Sequence, residues 1–184
     1  FDTSNLNRQM LSSISRLGKS KAECARSTIL DINPAINVTI RKEKLNEANA
    51  IEIISGSDLV IDATDNLISR VIIHRTAQKL KLPSVWIAVT PPFRGGVMTF
   101  SHETPPYEVV LQHPSYGQEL TPEVVQAVTA IKDERAQASV SHGALAEWAD
   151  NYVNNNSPWA VICQVANLVG ISASFEAFKI ILKR

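Results

Sequence analysis

A short polar run near the start of the sequence combines the side chains that a phosphate-bearing ligand needs. Residues 4–9 read Ser-Asn-Leu-Asn-Arg-Gln, and residues 18–21 read Gly-Lys-Ser-Lys. The planar guanidinium of Arg8 and the ammonium of Lys21 suit phosphate oxygens, and the free N–H groups of a helix start attract the same anions. On its own, such a run could equally be a solvated basic loop.

A pair of carboxylates follows a predicted buried strand. Residues 59–61 read Leu-Val-Ile, and Asp62 and Asp65 come directly after them. Ligands of open α/β sheets bind beyond the carboxyl ends of the strands, so both carboxylates fall where a ligand is expected. We interpret Asp62 as structural and keep Asp65 as a site candidate.

Taken in order and spacing, four short motifs resemble the ThiF/MoeB/HesA superfamily, the adenylating enzymes related to ubiquitin-activating enzymes. The motifs are residues 5–9, residues 18–21, Ile-Asn-Pro at 32–34 and Asp-Ala-Thr-Asp-Asn at 62–66. The resemblance covers roughly residues 1–100, with a weaker similarity in the last helix. It implies ATP-dependent adenylation of the C-terminal glycine of a ubiquitin-like or sulfur-carrier protein, with pyrophosphate as the leaving group.

The resemblance also implies roles for individual residues. Arg8 and Lys21 would contact the phosphates of ATP, and Asn5 and Gln9 would hydrogen-bond those phosphates or fix the loop. Asp65 matches the metal-binding position of the family, so Mg²⁺ is expected together with ATP. Because the attacking carboxylate is already ionised, positioning and charge stabilisation by the catalytic residues Arg8, Lys21 and Asp65 would carry the rate.

Each candidate also has a purely structural interpretation. Arg8 could form a surface ion pair, Lys21 could be an exposed lysine in a first helical turn, and Asp65 could cap the helix that follows it. Lys19 is interpreted equally well as a solvated side chain. Arg94 is a weaker candidate for contacting the tail of the substrate, and its alternative is a charged loop residue before an edge strand.

The apolar periodicity predicts a Rossmann-like α/β fold with a mostly parallel sheet flanked by helices. A short helix is predicted around residues 5–11, and longer helices are predicted at residues 19–32, 47–55, 66–82, 122–137 and 143–151. Strands are predicted at residues 36–41, 59–61, 85–89, 96–100 and 108–111. The last two strands should extend the sheet in antiparallel fashion. Residues 159–182 are predicted to form a buried helix pair bent near Gly170.

Three segments are expected within one domain. Residues 1–112 would be the adenylation domain, residues 113–157 a variable helical insert, and residues 158–184 a C-terminal helix in the core or at an interface. The resemblance implies a preceding strand, a glycine-rich phosphate loop, a helix and a second strand that this sequence does not contain. We therefore expect the domain to lack its phosphate loop and to be inactive unless another segment completes it. A homodimer is expected by the same resemblance.

Composition and spacing argue against several other classes of protein. The 18 basic and 18 acidic residues balance, so neither nucleic acid nor a membrane surface is an expected partner. Cys24 and Cys163 lie far apart without a CxxC motif, so they are expected to be buried, inert thiols rather than a disulfide or zinc site. The four histidines show no metal-ligand spacing. A cytoplasmic location is expected because no signal peptide is visible.

Three alternative functions stay open at this stage. The chain could be a noncatalytic partner subunit of a heterodimeric activating enzyme, although the presence of Arg8, Lys21 and Asp65 argues against degeneration. It could be an enzyme of the same fold that acts on a non-protein substrate such as modified tRNA, which the neutral charge disfavours. It could also be a dinucleotide-dependent oxidoreductase, but the motif at residues 5–9 has no role in hydride transfer.

Overall fold

The computed structural model describes residues 1–183 and contains a sheet of three strands in the order β1-β2-β3. The strands are β1 (Val60–Asp62), β2 (Ser84–Thr90) and β3 (Arg94–Phe100). β1 runs parallel to β2, and β2 runs antiparallel to β3, with Ile87 opposite Val97. The predicted α/β fold is confirmed, and β3 is the one strand of the predicted antiparallel extension that forms in the described part of the chain, where the sheet is mixed.

Helices flank this sheet. They are α1 (Lys21–Ile32), α2 (Ala50–Ile54), α3 (Leu67–Lys79), α4 (Tyr107–Val110), α5 (Pro122–Val140), α6 (Ala146–Val153) and α7 (Cys163–Ile181), with short 3₁₀ helices at Thr3–Asn5 and Ile14–Arg16. The helices predicted at residues 19–32, 66–82, 122–137 and 143–151 are confirmed within a few residues at each end. The helix predicted at residues 47–55 is shorter, and the one predicted near residues 5–11 is a 3₁₀ turn followed by other turns.

Local sequence signals explain where the main helices begin. The Ser20 side chain accepts a hydrogen bond from the Glu23 N–H and caps α1. The Asn66 side chain accepts a hydrogen bond from the Ser69 N–H at 2.9 Å and caps α3. The interpretation of Asp65 as that cap is therefore wrong, because the neighbouring amide does the capping.

The core lies between α3 and the sheet. Val71, Trp86, Phe100 and Tyr107 form one buried cluster. The His74 ring stacks on the Tyr107 ring with centroids 4.5 Å apart and meets the Phe100 ring edge-on at 5.2 Å. This aromatic packing fixes α3, and α3 begins directly after the loop that carries Asp65.

Two predicted strands are wrong. Residues 36–41 form no strand in the described chain, because no neighbouring strand pairs with their alternating apolar side chains. Residues 108–111 lie in and just after helix α4, which begins after Pro106. Arg75 of α3 holds the Glu108 carboxylate through two hydrogen bonds of 2.8 Å, and this tertiary contact favours the helical turn.

Helix α7 is one continuous helix rather than the buried pair predicted for residues 159–182. It packs on β2 and β3 at Gly95, where a Cβ atom would lie 2.3 Å from a Val169 methyl carbon. Its other face is exposed, and apolar side chains stand there at Leu168, Ile171, Phe175, Phe178 and Ile181. Cys24 is buried as predicted, but Cys163 is exposed, so the prediction of a buried thiol at 163 is wrong. Within residues 1–183, no helix is both long and apolar enough to cross a membrane.

Candidate active site

A cavity of about 490 Å³ opens beyond the end of β1. Its walls come from residues 63–65 after β1 and residues 87–90 of β2. The N-terminal loop, the starts of α1, α3 and α7, the middle of α5 and the segment that leads into α7 complete them. Four of the predicted site residues line it together, namely Arg8, Gln9, Lys21 and Asp65. Asn5 is not among the lining residues.

The Arg8 guanidinium is held by its own loop. It donates hydrogen bonds to the Ser4 carbonyl oxygen at 2.6 Å and to the Asn7 side-chain oxygen at 3.0 Å. Asn7 in turn donates to the carbonyl oxygen of Val161 at 2.8 Å, which ties the loop to the segment before α7. None of the ion pairs found in residues 1–183 includes Arg8, so a surface ion pair does not explain this residue.

Asn5 lies beneath the loop rather than in the cavity. It is buried, and its side-chain oxygen accepts a hydrogen bond from the Asp2 N–H at 3.0 Å. The Asp2 carboxylate accepts a hydrogen bond from the Ser4 N–H at 2.8 Å, and bonds from Ser4 lower the pKa of Asp2. Of the two roles expected for Asn5, the geometry supports fixing the loop.

Lys21 is the first residue of α1 and stands exposed at the cavity. Its ammonium lies 5.9 Å from the centroid of the Phe1 ring and belongs to none of the ion pairs in residues 1–183. Lys19 does not line the cavity. The helix start therefore presents Lys21, and not Lys19, to a ligand in the cavity.

Asp62 is fully buried and organises the loop that carries Asp65. One of its carboxylate oxygens accepts a hydrogen bond from the Thr64 N–H at 3.0 Å. The other lies 3.2 Å from His74 Nε2 and 3.5 Å from Arg70 Nη1. Both carboxylate oxygens are therefore engaged inside the protein, and the interpretation of Asp62 as structural is confirmed.

Arg70 and His74 complete this buried network from α3. Arg70 donates hydrogen bonds to the carbonyl oxygens of Thr64 and of Ile87, the latter at 2.7 Å. His74 Nδ1 lies 2.9 Å from the Ser84 hydroxyl oxygen. Because Arg70 binds the loop after β1 and Ile87 of β2 at the same time, it holds together the two strands that border the cavity.

Asp65 is exposed at the cavity and takes part in none of the ion pairs of residues 1–183. Burial raises the pKa of Tyr152, and the negative charges of Asp133 and Asp65 raise it further. No group of three or more potential metal ligands exists in the described residues. Magnesium is commonly held by one or two carboxylates together with substrate phosphates, so a single free carboxylate fits a magnesium ion that arrives with a nucleotide.

Sequence reasoning missed several residues of the cavity wall. Lys132 and Arg135 reach it from α5, Arg70 reaches it from α3, and Trp159 reaches it from the segment before α7. The indole N–H of Trp159 donates to the carbonyl oxygen of Val89 at 2.9 Å. The one available signal was the pair of cations three residues apart on α5, since such residues share a helix face.

Arg94, the weaker candidate, does not line the cavity. It donates a hydrogen bond from Nη2 to the Ser139 hydroxyl oxygen of α5 at 3.2 Å, and its buried Nε has no partner in the described chain. Its contact is with the helical segment 113–157, so the structure gives it a place between β3 and α5.

The cavity is electropositive. The basic side chains that line it without any ion pair in residues 1–183 are Arg8, Lys21, Lys132 and Arg135, and they face one exposed carboxylate, Asp65. Burial lowers the pKa of Arg135, and the nearby positive charge of Arg70 lowers it further. Cations that lack internal partners and surround one cavity suit a polyanionic ligand.

A comparison with known protein families matches the chain to the ThiF family over residues 1–184. The chain belongs to the ThiF family. The resemblance drawn from four short motifs is thereby confirmed over a longer stretch than the roughly 100 residues on which it was based.

Curated relatives of this ThiF-family chain carry adenylyltransferase names. It is 43% identical over 106 residues to a probable molybdopterin-synthase adenylyltransferase of Porphyra purpurea. The aligned residues cover 58% of this chain and 28% of the relative. It is 35% identical over 104 residues to the probable adenylyltransferase/sulfurtransferase MoeZ of Mycobacterium tuberculosis. The aligned residues cover 56% of this chain and 26% of the relative. The chain thus spans about a quarter of the length of these relatives.

Solved structures support the fold. E. coli MccB with ATP matches 100% of this ThiF-family chain and 46% of its own, with a TM-score of 0.67 and 16% identity. E. coli MccB with MccA-N7isoASN matches with a TM-score of 0.69 and 16% identity, and the match covers 47% of its own chain. The Rossmann-like fold expected from the sequence is therefore confirmed.

Proposed function

We propose that this ThiF-family chain is the catalytic part of an enzyme that uses ATP to adenylate the C-terminal glycine of a ubiquitin-like or sulfur-carrier protein. The observation that carries this proposal is the electropositive cavity at the end of β1, where Arg8, Lys21 and Asp65 stand without internal ion pairs. The adenylyltransferase names of the curated relatives support the same reaction type.

The proposed reaction joins the carboxylate of the carrier to the α-phosphate of ATP. A carboxylate oxygen attacks the α-phosphorus, a new O–P bond forms, and the bond between the α-phosphorus and the bridging oxygen breaks. Pyrophosphate leaves with that electron pair. Because the carboxylate is ionised, no proton has to move, and rate enhancement depends on alignment and on neutralising negative charge.

The cavity residues fit this demand for positive charge. Arg8 can meet phosphate oxygens with a planar fork whose position is set by bonds to its own loop, and Lys21 adds a point charge at a helix start. Gln9 lines the same wall and can donate its amide N–H groups. Asn5 supports the reaction indirectly by holding the loop.

Asp65 is the proposed magnesium ligand. Magnesium bound with ATP supplies further neutralisation of phosphate charge. The side chain of Asp65 is exposed and unpaired in residues 1–183, whereas the backbone of its loop is fixed by Asp62 and Arg70. With its backbone fixed in this way, Asp65 would hold a magnesium ion that arrives with ATP, without a larger ligand cluster.

Other expectations stay predictions. They are the homodimer, the cytoplasmic location and the completion of the domain by a glycine-rich phosphate loop. A noncatalytic partner subunit and an enzyme for a non-protein substrate are the alternative functions, and the experiment below separates them from the proposal.

The test is ATP–pyrophosphate exchange by the full-length protein offered candidate carrier proteins that end in Gly-Gly. We expect carrier-dependent exchange, and we expect Arg8→Ala and Lys21→Ala to lower it by about 10²- to 10³-fold, as loss of one charge-stabilising donor does. Lys19→Ala is the matched control, because Lys19 does not line the cavity. Unchanged exchange in Arg8→Ala would contradict the proposal. ATP binding without exchange for any carrier would favour the two alternatives.

A further inference from the structure

We infer that Lys132 and Arg135 of α5 bind an anionic group of the reacting substrates in the same cavity as Arg8 and Lys21. The inference rests on the proposed function and deepens it, because it brings the helical segment 113–157 into the substrate site. Neither residue lies within the motifs that carry the family resemblance.

The position of α5 gives the inference its geometry. Lys132 and Arg135 both line the cavity and lie three residues apart, so they share one face of the helix. Val128 and Ala136 are fully buried on the same helix, and α5 packs against α3 and α6. The two cations therefore project from a fixed support and not from a mobile loop.

The energetic state of Arg135 points to a ligand. Its side chain is half-buried and belongs to no ion pair in residues 1–183, and the charged groups around it include Arg70 of α3 as well as Glu134 of its own helix. Its positive charge also lowers the pKa of His113. A partly desolvated guanidinium beside a second cation is unfavourable until an anion joins it.

The charge around the cavity separates two kinds of cation. Arg70 donates to two backbone carbonyl oxygens and lies 3.5 Å from the Asp62 carboxylate, so its positive charge is compensated inside the protein. Lys132 and Arg135 form no ion pair in the described chain, and Asp65 is the one carboxylate on the wall. Their charge is thus available to a phosphate of ATP or to the carboxylate of the carrier tail, which share the same chemistry of recognition.

The test uses the full-length protein with the variants Lys132→Gln and Arg135→Gln, and with Arg135→Lys as the conservative variant. Lys79→Gln is the matched control, because Lys79 is also a helical lysine but does not line the cavity. Calorimetry gives the Kd for MgATP, and exchange assays give the KM for the carrier protein. Circular dichroism and thermal unfolding check that each variant folds. If Arg135→Gln does not fold, Lys132→Gln still tests the inference.

We expect each Gln variant to weaken binding of one substrate about tenfold or more, the effect of losing one hydrogen bond to a charged group. A higher Kd for MgATP assigns the pair to phosphate, and a higher KM for the carrier with unchanged Kd assigns it to the tail carboxylate. Arg135→Lys should recover part of the loss. Unchanged Kd and KM in both Gln variants, or an equal loss in Lys79→Gln, would overturn the inference.

The proposed function can fail separately. If no carrier supports exchange, the Kd for MgATP alone decides the inference, and an unchanged Kd in both Gln variants overturns it. If Arg8→Ala abolishes exchange while the α5 variants behave like the unsubstituted protein, the proposed function stands and the inference falls.

Discussion

Two sets of basic side chains in this molecule differ in how they are paired. Arg70 and Arg75 of α3 are engaged from every side: Arg75 binds the Glu108 carboxylate twice at 2.8 Å and donates to two backbone carbonyl oxygens. Lys132 and Arg135 of α5 line the cavity without any ion pair in residues 1–183. The same residue types therefore serve stability in one region and are available for binding in the other.

The physical basis of this difference is compensation of charge. A buried cation with a carboxylate and carbonyl partners holds elements together, and removing one partner leaves an uncompensated charge in a low dielectric. An unpaired cation in an open cavity contributes little to folding and can even oppose it through repulsion by its neighbours. The predictions below test this division, beginning with the largest expected effect on stability.

Replacing Asp62 should destabilise the protein by leaving Arg70 without its carboxylate partner. In Asp62→Ala, Arg70 loses its counter-charge and His74 and the Thr64 N–H lose an acceptor, so we expect the free energy of unfolding to fall by about 3–5 kcal/mol. Urea unfolding of the full-length protein measures the change. Asp65→Ala is the control, and it should alter stability by less than about 0.5 kcal/mol because that carboxylate is exposed. Equal effects of the two substitutions would refute the division.

Adding one methyl group at Gly95 should disturb the support of α7. A Cβ atom there would lie 2.3 Å from one Val169 methyl carbon and 3.1 Å from a Val165 methyl carbon, so the valine side chains or the helix that carries them must shift. We expect Gly95→Ala to cost about 1–3 kcal/mol, as overpacking does. Gly96→Ala is the matched control, since its Cβ would meet Trp86 at an ordinary 3.5 Å. Thermal unfolding of both variants separates crowding from a general effect of losing glycine.

His113 connects the two regions and should make stability depend on pH. Burial and the charge of Arg135 lower the pKa of His113 from 6.5 to about 4, and its Nε2 lies 3.1 Å from the Tyr107 hydroxyl oxygen. The unfolded chain therefore binds more protons than the folded protein between these values. The free energy of unfolding should fall by about 1–3 kcal/mol as the pH decreases from 6.5 to 4.

Unfolding at several pH values, compared with His113→Gln, measures this contribution. The His142→Gln variant serves as the control, because it removes an exposed histidine that lies outside the buried cluster. An Arg135→Gln variant should move the pKa of His113 back toward 6.5, which a nuclear magnetic resonance titration of the ring protons can follow. A His113 pKa that stays the same in Arg135→Gln would show that the charge on α5 does not reach the buried region.

The smallest effect on stability is expected at the cavity itself. Lys21→Gln and Lys132→Gln should each change the free energy of unfolding by less than about 0.5 kcal/mol, since neither ammonium has an ion-pair partner in the described chain. The same denaturant series used for Asp62→Ala measures them. A loss above about 1.5 kcal/mol for either variant would place that lysine among the structural cations.

The periodic spacing of apolar residues predicted the helices and strands that pack on the core. The apolar runs of β2 and α3 predicted both elements, because burial on the sheet and on one helix face leaves a clear period in the sequence. Apolar and polar side chains alternate just as regularly in residues 36–41. A strand also needs a neighbouring strand to pair with, and alternation alone does not provide one. At residues 108–111, the Arg75–Glu108 contact and the helix start after Pro106 outweigh the preference of two valines for a strand.

The sequence predicted only those site residues that lie within the short motifs. Arg8, Gln9, Lys21 and Asp65 come from three separated motifs, and the fold brings their side chains to one cavity. Lys132 and Arg135 were missed, because they lie in a helix more than a hundred residues from the first motif and their position depends on packing against α3. The spacing of the two cations shows that they share a helix face, but it does not show that this face lies at the cavity.

The indole of Trp159 gives the cavity an optical readout. This side chain lines the wall, donates to the carbonyl oxygen of Val89, and meets the rings of Trp148 and Tyr152 at 5.8 and 5.0 Å. The emission of an indole depends on the polarity and quenching groups around it. A ligand that enters the cavity would change the surroundings of Trp159, so tryptophan fluorescence can follow occupancy in solution without an added label.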